Sequence, residues 1–296
     1  MTDSSTLATT AFERATAVTR DGDRYVADVD LDWAAPTGPN GGYLAAIVVR
    51  AVEAEADPEQ QRQLRSLSLQ YLRSAGEGPL ELEVRTVRSG RRLASVAVTA
   101  RQQGREVLTG FASLATRGLD QVGAWSPPLP AVAGPPAPDA EAAPIDRFDR
   151  SGGHWLDLPP GLPPIVGQLR IAPRIGTGPY TGRTVAPGEP IETGGWMGSP
   201  EPQRIDAAYL AQLTDFWWPP ALEVMTAPAI APTIDLTIHV QADLPVGGLD
   251  PAAVLGAFRT SVAANGLAEE DGTLFLPDGT LLARSRQLAL LAPLSA

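Results

Sequence analysis

The sequence predicts an α+β fold built twice over, with a curved antiparallel sheet wrapped around one buried helix in each half of a 296-residue chain. Three observations predict it. GYLAAIVVRAV (42–52) carries no charge before Arg50 and is apolar nearly all round, so a helix there must be buried on most sides. PLELEVRTV (79–87) alternates polar and apolar residues, the period of a strand with one buried face. The same order then recurs in the second half. AYLAQLTDFWW (208–218) matches the first helix, DLTIHVQ (235–241) matches SLSLQYL (66–72), and DGTLLARSRQLAL (278–290) matches QGREVLTGFASLA (103–115).

In chain order, RYVADVDLD (24–32) reads as a strand leading to a helix from Gly41 to about Glu55. SLSLQYL and PLELEVRTV follow as strands, RSGRR (88–92) as a turn and RLASVAVTARQ as a further strand; QGREVLTGFASLA is a turn opening the next. From Gly118 to about Pro164 the chain is rich in Pro, Ala and Gly, as in SPPLPAVAGPPAPDAEAAP, too poor in large apolar groups to form a core. The expected organisation is therefore an N-terminal unit over 1–118, a linker over 119–164 and a C-terminal unit over 165–296. In the second unit PIETGGWMG (190–198) reads as the strand before the helix, and AYLAQLTDFWWPPAL (208–222) as the helix itself.

Composition removes several functions. Net charge is −11 and all 23 basic residues are arginines, which argues against nucleic acid, whose phosphates need a dense basic surface. Without cysteine there is no disulfide, thiolate nucleophile or cysteine metal site, and His154 and His239 are too few for a histidine metal centre, so neither metal nor cofactor is expected. No apolar stretch has bilayer-spanning length, and the opening MTDSSTLATTAFERA lacks the basic-then-apolar pattern of a signal peptide. A cytoplasmic protein without membrane association is the expectation.

One residue stands out. Asp215 is the only charge between Asp206 and Glu223, within an otherwise apolar helical pattern. A buried carboxylate has a raised pKa and accepts protons better than an exposed one, so it can act as a base; equally, it can accept hydrogen bonds that fix the pairing of the two halves. Its counterpart in the first half is Val49. The Gly41–Gly42 helix start offers unpaired N–H donors for an oxyanion, or simply allows close packing. Arg88, Arg91 and Arg92 can meet phosphates or stand solvated in their turn. Phe216, Trp217 and Trp218 are core candidates that can also line an acyl tunnel.

GGY at the helix start, followed by YLRSAGEGPLELEVRTVRSGRRLASVAVTARQQG, resembles the first half of acyl-CoA thioesterase II and its relatives. TIDLTIHV and PDGTLLARSRQLALL resemble that family's C-terminal half. The resemblance implies a double hotdog fold, in which two units pair into a pseudo-dimer with one continuous sheet, and a homodimer or tetramer as the assembly. It implies acyl-CoA as substrate, hydrolysed by water that an Asp, a Thr and a Gln handle; carried over by position these are Asp215, Thr233 and Gln287. By strand periodicity Thr233 shares a polar stripe with Asp235, Thr237 and His239, which makes Asp235 a rival base. Gln287 shares its face with Ala283, Ser285 and Ala289, and its counterpart in the first half is Ala112. Asp215 falls one residue off the family register when the following Pro-x-Ala-Leu is aligned. That offset motivates the alternative, a hotdog protein that binds an acyl-CoA or acyl chain without turning it over.

Overall fold

The computed structural model describes residues 9–57, 59, 61–119, 123–186 and 188–294; the opening residues 1–8, where a leader was not expected, lie outside that set. The main elements of the first unit are β1 (Arg24–Val29), α1 (Gly41–Ala56), β2 (Arg62–Tyr71), β3 (Gly78–Ser89), β4 (Leu93–Gln102) and β5 (Arg105–Thr116). Those of the second are β6 (Arg170–Ile175), β7 (Ile191–Gly198), α2 (Ala207–Leu213), β8 (Thr233–Val240), β9 (Val254–Thr260), β10 (Leu267–Phe275) and β11 (Leu281–Leu290). Their strands join one sheet in the order β1-β3-β4-β5-β2-β8-β11-β10-β9-β7-β6, every neighbouring pair antiparallel. This is the expected double hotdog. The seam is β2 against β8, where Leu67 and Leu69 face Ile238 and Leu236 inward, and the Ser68 and Thr237 hydroxyls meet at 2.9 Å on the outer face.

Both helices lie against the inner face, and their packing explains their composition. From Tyr43 to Val49 every residue of α1 is at most 3% exposed, as its all-round apolar sequence requires. The helices run antiparallel: Gly42 abuts Gln212 and Ala211, while Arg50 pairs with Asp206 at the other end. A Cβ on Gly42 would stand 2.7 Å from the Gln212 carbonyl oxygen, so only glycine permits this approach.

Two expectations need correction. The helix predicted over 208–222 ends at Leu213, and a separate 3₁₀ turn covers Pro220–Val224. A continued helix would direct the Asp215 carbonyl to the N–H of residue 219, a proline with none to give. That carbonyl instead accepts the Asn40 amide at 2.8 Å. The second correction concerns Thr233. A β-bulge shifts the register between Thr233 and Asp235, so the two do not share a stripe. Thr233 turns inward beside Gln287, whereas Asp235, Thr237 and His239 oppose Gln70, Ser68 and Ser66 on the outer face. The rival base thus points away from the helices.

The proline-rich segment does more than connect. Trp155 is buried with Trp196, Leu255 and Phe275 in a small second core. Trp196 donates its indole N–H to the Ala133 carbonyl at 2.8 Å, and Arg174 donates to those of Gly134 and Gly152. Arginines and indoles from the sheet thus satisfy carbonyls that a chain short of N–H groups cannot pair internally.

Candidate active site

The trio converges from three separate segments. Asp215 follows the last turn of α2, Thr233 opens β8 and Gln287 lies mid-way along β11. Thr233 donates its hydroxyl proton to Gln287 Oε1 at 2.9 Å, and its oxygen lies 3.4 Å from Asp215 Oδ1. The early end of α2 lets Asp215 turn toward the start of α1, and the bulge brings Thr233 to the inner face.

The start of α1 then holds the carboxylate. Gly42 donates its backbone N–H to Asp215 Oδ2 at 2.9 Å. Asn40 divides its amide between two tasks: Oδ1 caps α1 by accepting from the Tyr43 N–H at 3.0 Å, and Nδ2 donates to Asp215 Oδ2 at 3.0 Å. A helix N-terminus favours negative charge there. Burial still dominates: desolvation raises the Asp215 pKa to about 6, against hydrogen bonding from Gly42, Gln287, Thr233 and Asn40, which favours the charged form. The residue as a whole is part-buried.

Gly42 is therefore not a free oxyanion donor, because its N–H is committed to Asp215. Gly41 lies beside the carboxylate, where a Cβ would meet Asp215 Oδ2 at 2.8 Å, and its carbonyl accepts the Tyr71 hydroxyl at 2.7 Å. Trp217 is core, its indole N–H donated to Thr193 at 3.0 Å and its ring stacked on Phe258; Phe216 is part-buried against the same core. Arg88, Arg91 and Arg92 are exposed at the β3–β4 hairpin. The hairpin lies beside the Arg62 end of β2, through the bond from Arg62 to the Gly90 carbonyl, whereas Tyr71 at the other end of that strand reaches the site. The structure does not bring these arginines to the trio.

Family models and solved structures agree with this architecture. Residues 29–115 match the acyl-CoA thioesterase N-terminal domain, and residues 127–291 match the acyl-CoA thioesterase C-terminal domain. The chain belongs to the acyl-CoA thioesterase family. A hotdog-fold protein of unknown function from Alicyclobacillus acidocaldarius superposes with a TM-score of 0.77 at 24% identity, over 97% of this chain and 100% of that one. A candidate thioesterase II from Thermobifida fusca gives 0.74 at 26% identity, over 96% and 98%. An acyl-CoA thioesterase II from Mycobacterium marinum shares the fold with a TM-score of 0.68 at 18% identity, over 97% and 99%. No protein of curated function matches the sequence. Thioester hydrolysis is the general chemistry to which this family and its neighbours point.

In this thioesterase-family chain, sequence reasoning missed Asn40, Tyr71 and Glu270. Asn40 carried a readable signal, since an Asn before GGY is a standard N-cap. Tyr71 and Glu270 sit in strands with nothing local to mark them. Among the described residues no helix is long and apolar enough to cross a membrane.

Proposed function

We propose that this chain hydrolyses an acyl-CoA to a free acid and coenzyme A, with Asp215 as general base and Thr233 and Gln287 holding the water. The observation that carries the reading is the meeting of a carboxylate, a hydroxyl and an amide in one cluster, with the carboxylate pKa near 6. A base with that pKa is largely ionised at neutral pH yet still basic enough to take a proton from water as it attacks. Neither Thr nor Gln competes for that proton.

In the proposed sequence, water attacks the thioester carbon while Asp215 accepts its proton. The carbonyl oxygen becomes an oxyanion, which we assign to the N–H of Gly41, at the first helical position where no helix carbonyl can meet it. The intermediate then collapses, the carbon–sulfur bond breaks, and the departing thiolate takes the proton back from Asp215. Water has added across the bond, and the base is restored.

The test is thiol release from a panel of acyl-CoAs by the purified protein. Asp215→Asn is expected to lower kcat by about 10²–10⁴-fold, the usual worth of a positioned base, with an unchanged circular dichroism spectrum. Undiminished turnover in that variant removes Asp215 from the mechanism. Acyl-CoA binding by the wild-type protein without thiol release favours the non-catalytic reading instead.

A further inference from the structure

Behind the trio lies a second carboxyl group that the proposed hydrolysis does not use. Glu270 projects inward from β10, only 6% exposed, and is opposite Gln287 in the register of β10 against β11. It accepts a hydrogen bond from Gln287 Nε2 at 2.9 Å. Gln287 Oε1 accepts from Thr233, whose oxygen lies beside Asp215, so the four side chains form one connected row. This is Glu270's one side-chain hydrogen bond among the described residues, and no guanidinium pairs with it.

A core position in a strand is ordinarily filled by an apolar residue, and a buried carboxyl group without a cation is costly. The inward neighbours on β10, Ala268, Gly272 and Leu274, follow that rule. Glu270 breaks it at the one position opposite Gln287. The groups around it are also informative. Gln287 and Ser285 face in from β11, Phe258 and Thr260 from β9, all neutral; Asp215, beyond Gln287, is the charge on the inner side. Glu269, Asp271, Arg259 and Arg286 belong to the opposite, outward set of their strands, where Arg286 pairs with Glu269 and Asp271.

We infer that Glu270 is a positioning residue for the reaction proposed above: in its neutral form it anchors the Gln287 amide against Thr233, and in its ionised form it sets an upper pH limit on turnover. The inference rests on that reading of the trio. A neutral carboxyl group accepts the Gln287 N–H through its carbonyl oxygen and adds no charge. Ionised, it adds a second negative charge to the cluster beside which the proposed oxyanion forms, which disfavours attack. The two carboxyl groups are held in different states by their surroundings. Burial, reinforced by the Asp215 and Asp271 charges, pushes Glu270 up to about 8, whereas Asp215, raised by burial but held back by hydrogen bonds that favour its charged form, stays near 6.

The test compares wild type, Glu270→Gln and Glu270→Leu in kcat and KM across pH 5–10. The expected wild-type kcat profile is a bell with limbs near pH 6 and pH 8. Glu270→Gln should flatten the alkaline limb and keep the acid limb. Glu270→Leu should lower kcat by on the order of 10- to 100-fold with little change in KM, because the Gln287 amide loses its buried acceptor. An alkaline limb that survives in Glu270→Gln, or a Glu270→Leu profile that overlays the wild type, overturns the inference. A readout independent of turnover separates its failure from failure of the underlying reading. The ¹⁵N side-chain amide resonance of Gln287 should show a step centred near pH 8 in the wild-type protein, separate from any step near pH 6 that reports Asp215, and the step near pH 8 should vanish in Glu270→Gln. A resonance indifferent to pH in that range overturns the inference even where Asp215→Asn is inactive, while persistent activity in Asp215→Asn strikes only at the reading of the trio.

Discussion

The two ends of the antiparallel helix pair occupy equivalent places and carry opposite chemistry. The pseudo-twofold through Ser68 and Thr237 relates β2 to β8, and both strands have a bulge at the same point, between Leu64 and Ser66 and between Thr233 and Asp235. Asp215, Thr233 and Gln287 at one end correspond to Val49, Leu64 and Ala112 at the other, all three apolar and at most 2% exposed. The caps correspond too: Asn40 accepts from the Tyr43 N–H as Asp206 does from that of Tyr209. At the first end Asn40 spends its remaining donor on Asp215. At the second, Asp206 receives Arg50 at 2.7 Å, and the neighbouring cavity is lined by Glu53, Arg62, Gln63 and Arg117. The scaffold thus provides two helix-end positions of one geometry. Which of them holds the proposed water-handling cluster depends on a handful of side chains.

That difference can be attacked from either side. The largest effect is expected from moving the carboxylate: Val49→Asp in an Asp215→Asn background should leave thiol release at the low level of the single variant, about 10²–10⁴-fold below wild type. The counterparts of Thr233 and Gln287 at that end are Leu64 and Ala112, so that hydroxyl and that amide are both absent. Recovery of turnover would show that the helix-end position alone suffices. The same Val49→Asp change in an otherwise native chain buries a charge without partners, and urea unfolding should register a loss on the order of 3–5 kcal/mol.

Gly42→Ala tests the close approach of the helices. Its methyl group must displace the Gln212 carbonyl, so a stability loss of about 1–3 kcal/mol is expected together with a fall in kcat as the N–H to Asp215 lengthens. Ala208→Gly at the equivalent position should cost only about 0.5–1 kcal/mol, the ordinary penalty of glycine in a helix, and leave kcat unchanged.

Asp215→Asn should also raise stability, with a defined pH dependence. The native pKa is raised, so the folded state binds a proton more tightly than the unfolded chain, and the ionised carboxylate destabilises the fold above pH 6. A gain of up to about 3 kcal/mol is expected at pH 8, a shift of roughly two units at about 1.4 kcal/mol each. It should shrink as pH falls through 6 and vanish below 4, where both states are protonated; a gain of equal size at pH 4 and pH 8 would contradict the shift. Arg50→Gln, like Ala208→Gly, should have a small effect, about 1 kcal/mol and weakened by salt, with no change in kcat.

Much of this is legible in the sequence. The all-apolar run of α1, the alternation of β3 and the repetition of helix and strands led to a doubled sheet-and-helix fold. Asp215 stood out by contrast with its neighbours, and the resemblance to the acyl-CoA thioesterases supplied Thr233 and Gln287. Strands β6, β9 and β10 were not read individually. In β10 the reason is specific: LAEEDGTLF carries Glu270 and Gly272 at inward positions, so its alternation looks broken although its geometry is regular. The helix predicted over 208–222 was too long because apolar periodicity continued past the point where Pro219 withholds a hydrogen bond.

The sequence by itself determined the buried helix starting at Gly41, the one-faced strands such as β3, the Asn that is there to be read as the cap of α1, and that one copy carries a carboxylate the other lacks. These are local properties: side-chain direction along a helix or strand follows from its period, and a cap from one residue and the N–H three places on. Only the tertiary structure decided that Thr233 turns inward while Asp235 turns out, that Gly42 spends its N–H on Asp215, that Asn40 reaches a carboxylate 175 residues away, and that Glu270 backs Gln287. A one-residue bulge reverses the facing of everything beyond it, and hydrogen-bond partners this distant in sequence leave no periodic trace in either segment.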